Sequence, residues 1–367
     1  MEMNKEANVI LSAIHPVLEE NMIDSTETEV RGREWIAWGK NNDFGEYLAG
    51  CYKDCATLQA IINQCVDYSC GDDLSLNIEP YKDFINDKGQ TVQEVVRNAF
   101  FDYWTYGGFA LSIIRNKLGG IAGVYYVNIK NLRSDKKNTM FYYSEDWSKS
   151  YGRVKTLAYP AFDPTKKQAI SILYVKRSFN GTYPVPVYGA AVKAVEIEKA
   201  IDTFHLNAIN NNFSASYIIS FNDGVPNEQQ QEEIVNDIEE RFSGYQNAAR
   251  IMVAFNRTKD NAISVEKLDS EDFGTHYQVL ADWSQQEIFT AFRANPNLIG
   301  IPTKNLGFST EEYSSSFKLF SKTQILPSQR LMCDSFKKIF GEECLVIEPF
   351  TIDFNDEGTN GQNKVIE

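Results

Sequence analysis

The chain has 367 residues, 43% of them hydrophobic and 13% aromatic, enough apolar material for a sizeable core and for more than one domain. Fifty acidic residues against 36 basic ones give a net charge of −14 and a pI near 4.9, which excludes a protein that wraps nucleic acid with a broad basic face. No run approaches the roughly 18 uncharged apolar residues of a membrane span, and MEMNKEANVILSAIHPVLEEN lacks the basic start and apolar stretch of a signal peptide, so the expected compartment is the cytoplasm.

In chain order, TETEVRGREWIAWGKNNDFGEYLAG carries the pair Trp35 and Trp38 and a turn at residues 39–42. YLAGCYKDCATLQAIINQCVDYSCG then repeats apolar residues at helical spacing, from Leu48 through Leu58, Ile61, Ile62 and Val66 to Tyr68. Gly71 supplies the C-terminal stop. TVQEVVRNAFFDYWTYG predicts a second helix, with Thr91 as N-cap, Glu94 three residues on and an aromatic face ending at Gly107 and Gly108. FALSIIRNKLGGIAGVYYVNI alternates on either side of Gly119–Gly120, the pattern of a hairpin. TMFYYSE, KTLAYPAF and AISILYVKRS add three strands. The fold class to this point is α+β, with helices packed on antiparallel sheet.

The pattern changes at Tyr183. After Pro184 and Pro186, about 25 residues run as helix to Asn210–Asn212, with Val187, Ala191, Val195, Ile201, Phe204, Ala208 and Ile209 at helical spacing. Such a helix spans roughly 35–40 Å at about 1.5 Å per residue. A compact β-α-β-β insert follows: SASYIISFND, the acidic amphipathic helix within GVPNEQQQEEIVNDIEERFSGY, RIMVAFNRT and AISVEKL. Helix resumes from about Thr275 to Ala294. A loop from Asn295 to Ser309 holds Pro296, Pro302, Gly300 and Gly307, and a third helix runs from Thr310 to Phe340, where Pro327 predicts a break or kink. CLVIEPFTIDF reads as a final strand pair, and residues 355–367 as a flexible polar tail.

The sequence contains no GxxxxGK[ST], GxGxxG, GxSxG or HExxH motif, and its histidines, His15, His205 and His276, share none. The four cysteines at 51, 55, 65 and 70 have no partner histidine nearby and read as reduced core residues rather than a zinc site. Asp269, Glu271 and Asp272 form an acidic cluster that an enzyme with a cryptic site would use; a solvated loop with Asp or Ser capping the next helix is the favoured reading. Neither a catalytic residue, nor a metal site, nor a cofactor is expected.

The order and spacing of several segments resemble the portal, or head–tail connector, proteins of tailed bacteriophages over roughly residues 30 to 350. WIAWGKNNDFGEYL resembles that family's N-terminal Trp/Gly/Asn segment. YGGFALSIIRNKLGGIAGVYYV is similar to its hairpin segment, YPVPVYGAAVKAVEIEKAI to the entry of its first stem helix, and DWSQQEIFTAFRANPNLIGI to its second stem helix and the turn into the channel loop. The resemblance implies a portal-like architecture: an α+β wing at 1–182, stem helix 1 at 183–213, a small α/β clip at 214–268 and stem helix 2 at 269–295. It places a channel (tunnel) loop at 296–309 and the rest of the wing at 310–354. The chain is short for the family, which implies that the helical crown of larger relatives is absent.

The same resemblance implies a ring, usually a dodecamer, at one capsid vertex of the virion, assembled in the host cytoplasm. It would contact the major capsid protein and pass double-stranded DNA without sequence specificity. The terminase large subunit and a head–tail adaptor would dock at the clip. Thr303, Lys304, Asn305, Leu306 and Phe308 would form the channel-loop tip, with Leu298, Ile299 and Ile301 packed beneath the wing. Lys304 is the one charge between Arg293 and Glu311. Glu228, Glu232, Glu233, Asp237 and Glu240 would form the docking face of the clip helix. The apolar residues of 186–212 predict packing against a neighbouring copy's 275–294. An alternative is another ring-forming adaptor of a phage-like particle.

Overall fold

The structure is a computed structural model that describes residues 25–147, 155–177, 181–210, 217–221, 227, 229–230, 233–234, 251–255, 271–301 and 310–351. The chain divides into two compact units: residues 22–195 with 285–367, and residues 196–284 with 1–21.

The larger unit opens with an antiparallel pair, β1 (Glu27–Glu29) and β2 (Ile36–Trp38). The helix expected over 48–71 is two helices, α1 (Phe44–Asp54) and α2 (Ala56–Cys70). The break is at Cys55, which takes extended backbone and whose Sγ accepts from the Leu58 N–H at 3.5 Å as an N-cap. Apolar periodicity runs through the break because both helices bury the same kind of face. Cys51, Cys55, Cys65 and Cys70 are all buried, and none of the six cysteines is in a disulfide. Burial pushes the Cys70 thiol up to about 11.

The next helix, α3 (Val92–Tyr106), has the expected capping box. Glu94 N–H donates to Thr91 Oγ1, Thr91 N–H donates to Glu94 Oε2 at 2.9 Å, and Gly107 ends the helix in the left-handed region. The hairpin also forms as read, from β4 (Gly108–Arg115) and β5 (Ile121–Val127), with β4 central in the sheet once β9 (Ile170–Lys176) pairs on its other side. A second antiparallel sheet has the order β6 (Leu132–Ser134), β7 (Met140–Tyr143), β8 (Leu157–Pro160). Helices on antiparallel sheet are therefore the architecture of this unit, around one large core that runs from Trp38 through α2, α3 and β4 to Phe336.

Asp102 on α3 is fully buried and binds two partners: Tyr126 Oη donates to Oδ1 at 2.9 Å and the Ile129 N–H to Oδ2 at 2.8 Å. Burial pushes its carboxyl up to about 8, against the lowering effects of those donors and of Lys130. Because the folded pKa lies above the ordinary value near 3.9, the stability carried by the protonated form is complete in acid and is lost as pH rises through about 8. The melting temperature is expected to fall between about pH 4 and pH 8, and less steeply in Asp102→Asn. An equal slope in the two proteins would remove Asp102 as its source.

Before the first long helix, a 3-10 turn at Gly189–Ala191 delays the start of α4 to Val192–Asn210, rather than residue 186. In the smaller unit, β10 (Tyr217–Phe221) and β11 (Ile251–Phe255) pair in parallel, which requires a crossover between them. Part of that crossover is described. Asn227 and Gln230 bond reciprocally, the Gln230 N–H to Asn227 Oδ1 at 2.9 Å and the Asn227 N–H to Gln230 Oε1 at 3.3 Å. Residues 229–230 and 233–234 are helical, as expected. The expected strand over 262–268 lies outside the described residues. Helix α5 (Glu271–Phe292) begins four residues before the predicted start.

The third long helix does not break at Pro327. It runs as α6 (Thr310–Phe320), a π-helical turn (Ser321–Ile325) and α7 (Leu326–Phe340) with Pro327 in the first turn. The wider turn reconciles the missing proline N–H with a continuous helix. Two adjacent residues of the wide turn, Gln324 and Ile325, are both buried between Phe320 and Ser328. After α7 comes β12 (Leu345–Ile347), the first strand of the expected final pair; residues 352–354 of the second lie outside the described residues. β12 pairs antiparallel with β3 (Leu74–Leu76) near the other end of the chain.

Candidate functional site

The sequence points to the loop between α5 and α6. Its predicted tip, Thr303, Lys304, Asn305, Leu306 and Phe308, lies outside the described residues, but both ends of the loop are described. Helix α5 stops at Arg293, which takes φ 54°, while the Ala294 N–H reaches back to Phe289 O at 3.0 Å. Asn295 then caps a 3-10 turn, Pro296–Ile299, by accepting from the Asn297 N–H at 3.2 Å. Proline pre-sets the first position, and Gly300 closes the turn at φ 80°. Leu298 is buried and Ile299 is packed against the core, as expected; Ile301, expected there too, is 36% exposed.

What holds the two ends together was not legible locally. Tyr68, on α2, donates to Leu298 O at 3.2 Å and shares a 2.7 Å hydrogen bond with Tyr313 Oη on α6. Its ring packs edge-on against Phe317 at 4.9 Å. Asn295 Nδ2 adds a second tie, to Ser316 Oγ at 3.2 Å. One buried tyrosine thus fixes the entry and the exit of a loop whose apex is eight residues, 302–309. Burial and the Tyr313 hydroxyl raise the Tyr68 pKa, which keeps it a neutral donor. The only sequence signal for this role was a polar hydroxyl on an otherwise apolar face of α2.

The predicted docking face fares similarly. Of Glu228, Glu232, Glu233, Asp237 and Glu240, only Glu233 is among the described residues; it is exposed and helical, beyond the Asn227–Gln230 cap. In the same unit Phe204 of α4 stacks on Tyr277 of α5 with ring centroids 4.4 Å apart, a contact within one chain. Around it, Leu206, Val279 and Trp283 are exposed, with Val279 at 61%. These exposed apolar side chains on long helices are unusual for an isolated subunit.

Of the acidic cluster, Glu271 and Asp272 fall at the start of α5, and Asp269 lies outside the described residues. Among the described residues no three metal-capable side chains converge, and no described helix is long and apolar enough to cross a membrane.

A search among curated protein sequences finds no match. Two solved structures share the fold at 16% identity. One is a chain from the neck of a native gene transfer agent particle, computed with C12 symmetry, with a TM-score of 0.50 and 84% of each chain covered. The other is from the virion of a native gene transfer agent particle, with a TM-score of 0.51 and 83% of each chain covered. A crystal structure of an HK97-family phage portal protein from Corynebacterium diphtheriae is also similar, at 12% identity and a TM-score of 0.47, covering 82% of this chain and 94% of that one. The family model described as phage portal protein matches residues 56–359, most of the chain. The chain belongs to the phage portal protein family.

Proposed function

We propose that the chain assembles into a ring, a dodecamer in the particle, at one vertex of a phage or phage-like capsid, forming the channel through which double-stranded DNA is packaged and ejected. The observation that carries this reading is the family match over residues 56–359, and the pinned base of the 302–309 loop supports it. A loop that touches a moving polymer must hold its base while the apex yields, and Tyr68 supplies such a base. In this reading the larger unit is the wing, α4 and α5 are the stem and residues 214–268 are the clip. The clip docks the terminase large subunit and later the head–tail adaptor, through Glu228, Glu232, Glu233, Asp237 and Glu240, and the ring is seated among copies of the major capsid protein.

The charge balance suits such a pore. Each neutralised phosphate adds salt-dependent affinity, and many would stall translocation. A chain at −14 with Lys304 alone at the loop apex gives brief, sequence-independent contact. The role is structural and not catalytic. The exposed apolar side chains of α4 and α5, Leu206, Val279 and Trp283, are surfaces that neighbouring copies would cover.

The test replaces Thr303–Phe308 by a Gly-Ser linker of equal length. Rings and procapsids are expected to assemble, with DNA filling reduced on the order of tenfold or DNA lost after packaging. Wild-type filling and retention would make the loop a connector and nothing more. Negative-stain images of the purified wild-type protein without rings would refute the reading as a whole.

A further inference from the structure

The α6–π–α7 helix turns one face to solvent, and that face is chemically unlike the rest of the protein. Between Glu312 and Asp334 the chain has three cations, Lys318, Lys322 and Arg330, and no anion, within a protein of net charge −14. All three are exposed, as is Leu326 between them. In an uninterrupted α-helix the twelve residues from Lys318 to Arg330 would carry Arg330 about 120° round the axis, at about 100° per residue. The π turn adds one residue to the path and returns it to the line. Lys318, Lys322, Leu326 and Arg330 therefore form one stripe, flanked by Leu319, which is 66% exposed.

A complementary surface exists on the same unit. From Asp72 to Glu94 the chain has six acidic residues and two lysines. One of those lysines, Lys82, is already paired with Glu79 at 2.9 Å. Asp83 is exposed, and beside it Phe84 is 56% exposed, an apolar residue within an acidic segment. The segment adjoins the far end of α7, where Tyr81 packs on Phe340 with ring centroids 5.4 Å apart. Leu326, at the middle of the stripe, is fourteen residues away along the helix, roughly 20 Å at about 1.5 Å per residue. That exceeds the ~8 Å over which exposed charges act at physiological salt. The Glu79–Phe84 part of the segment therefore cannot neutralise the stripe of its own chain; only the Asp72 end runs near it, following Ser69, whose carbonyl accepts from Gln329 Nε2 at 3.1 Å.

Resting on the ring reading above, we infer that the Lys318–Lys322–Leu326–Arg330 stripe of one copy docks on the acidic, Phe84-bearing 72–94 segment of the next. Two different faces meeting head to tail close a ring when the rotation between copies is right. Opposite charge sets the register, and Leu319, Leu326 and Phe84 supply the apolar contact. A phosphate backbone satisfies the cations but gives the exposed leucines nothing to cover them, which favours a protein surface.

The experiment is a charge swap on the full chain, read by sedimentation velocity and negative-stain imaging, with thermal melting as a control of folding. Lys318→Glu with Lys322→Glu, and separately Glu79→Lys with Asp83→Lys, are each expected to weaken ring assembly on the order of tenfold, since like charges then face each other. The four substitutions together are expected to restore it. Normal assembly of either two-residue variant, or failure of the fourfold variant to recover while melting like wild type, would overturn the pairing. Rings that assemble from Lys318→Glu/Lys322→Glu but lose affinity for a short DNA duplex would instead make the stripe a DNA contact, also overturning it. Wild-type protein that forms no rings in the same experiment would overturn the ring reading, and the pairing with it.

Discussion

Gly107→Ala is expected to prevent the larger unit from closing its core. Gly107 follows α3 at φ 88°, a conformation that side-chain-bearing residues rarely adopt. A Cβ there would lie 2.1 Å from Val185 O and 2.5 Å from its carbonyl carbon. Both are backbone atoms, so no rotamer relieves the clash. The segment that must move is the approach to α4, and it is held elsewhere. Tyr188 is fully buried, donates to Thr105 O at 2.8 Å and stacks on Phe292 at 5.7 Å. Displacing it takes a strained backbone and a buried aromatic together, a cost above about 4 kcal/mol. Gly32→Ala is the control: its φ is 76°, but nothing lies within 4 Å of the added carbon. There the cost is about 1 kcal/mol. Thermal melting compares them; Gly107→Ala is expected to be insoluble or to melt far below Gly32→Ala. Equal melting temperatures would show that the Val185 segment shifts freely.

Arg133→Met is the second large effect. Arg133 is buried at 2% exposure with no carboxylate bonded to it. Its Nη1 donates to Lys130 O and Leu132 O, both at 2.8 Å, its Nη2 to Asn42 O at 2.7 Å, and its Nε to Asn42 Oδ1. The guanidinium lies 4.6 Å from the Trp147 ring centroid and 5.7 Å from that of Trp38. Burial pulls its pKa down to about 10, so it stays charged at neutral pH. The fan of donors organises the turn after β2. Asn42 sits there at φ 63° and its side chain also accepts from the Trp38 N–H at 3.0 Å. Methionine fills much of the volume but leaves those carbonyls without their donors, at about 1–3 kcal/mol for each that water cannot reach. Part of that is offset because no charge is then buried. The net loss is expected near 3 kcal/mol, or a drop of roughly 6–12 °C in a unit of this size. Lysine at 133 is expected to recover little, lacking the planar fork. Recovery by lysine would show that charge alone was needed.

Several elements were legible in the sequence because their information is local. The Thr91–Glu94 capping box needs one helical turn, and the hairpin at Gly119–Gly120 needs two flanking runs of period two. The loop between α5 and α6 announced itself by its prolines and glycines, and the family resemblance by the order of such segments, which the portal family match bears out. Other features depended on residues far apart in the chain. The β3–β12 pair joins segments some 270 residues apart; Leu345–Ile347 read as strand, but nothing local named Leu74–Leu76 as its partner. The Cys55 break was hidden because α1 and α2 both face the same core. The π turn left no local mark, since buried Gln324 follows Phe320 by four residues, an ordinary helical step. Tyr68, 245 residues from the Tyr313 it binds, could be read only as one more core position on α2. Local propensity and periodicity say which face of a segment is apolar. Which distant segment covers that face, and which buried hydroxyl or guanidinium finds its partner there, is decided by the free energy of the whole core, where polar groups are tolerated only when the assembled fold brings their partners to them.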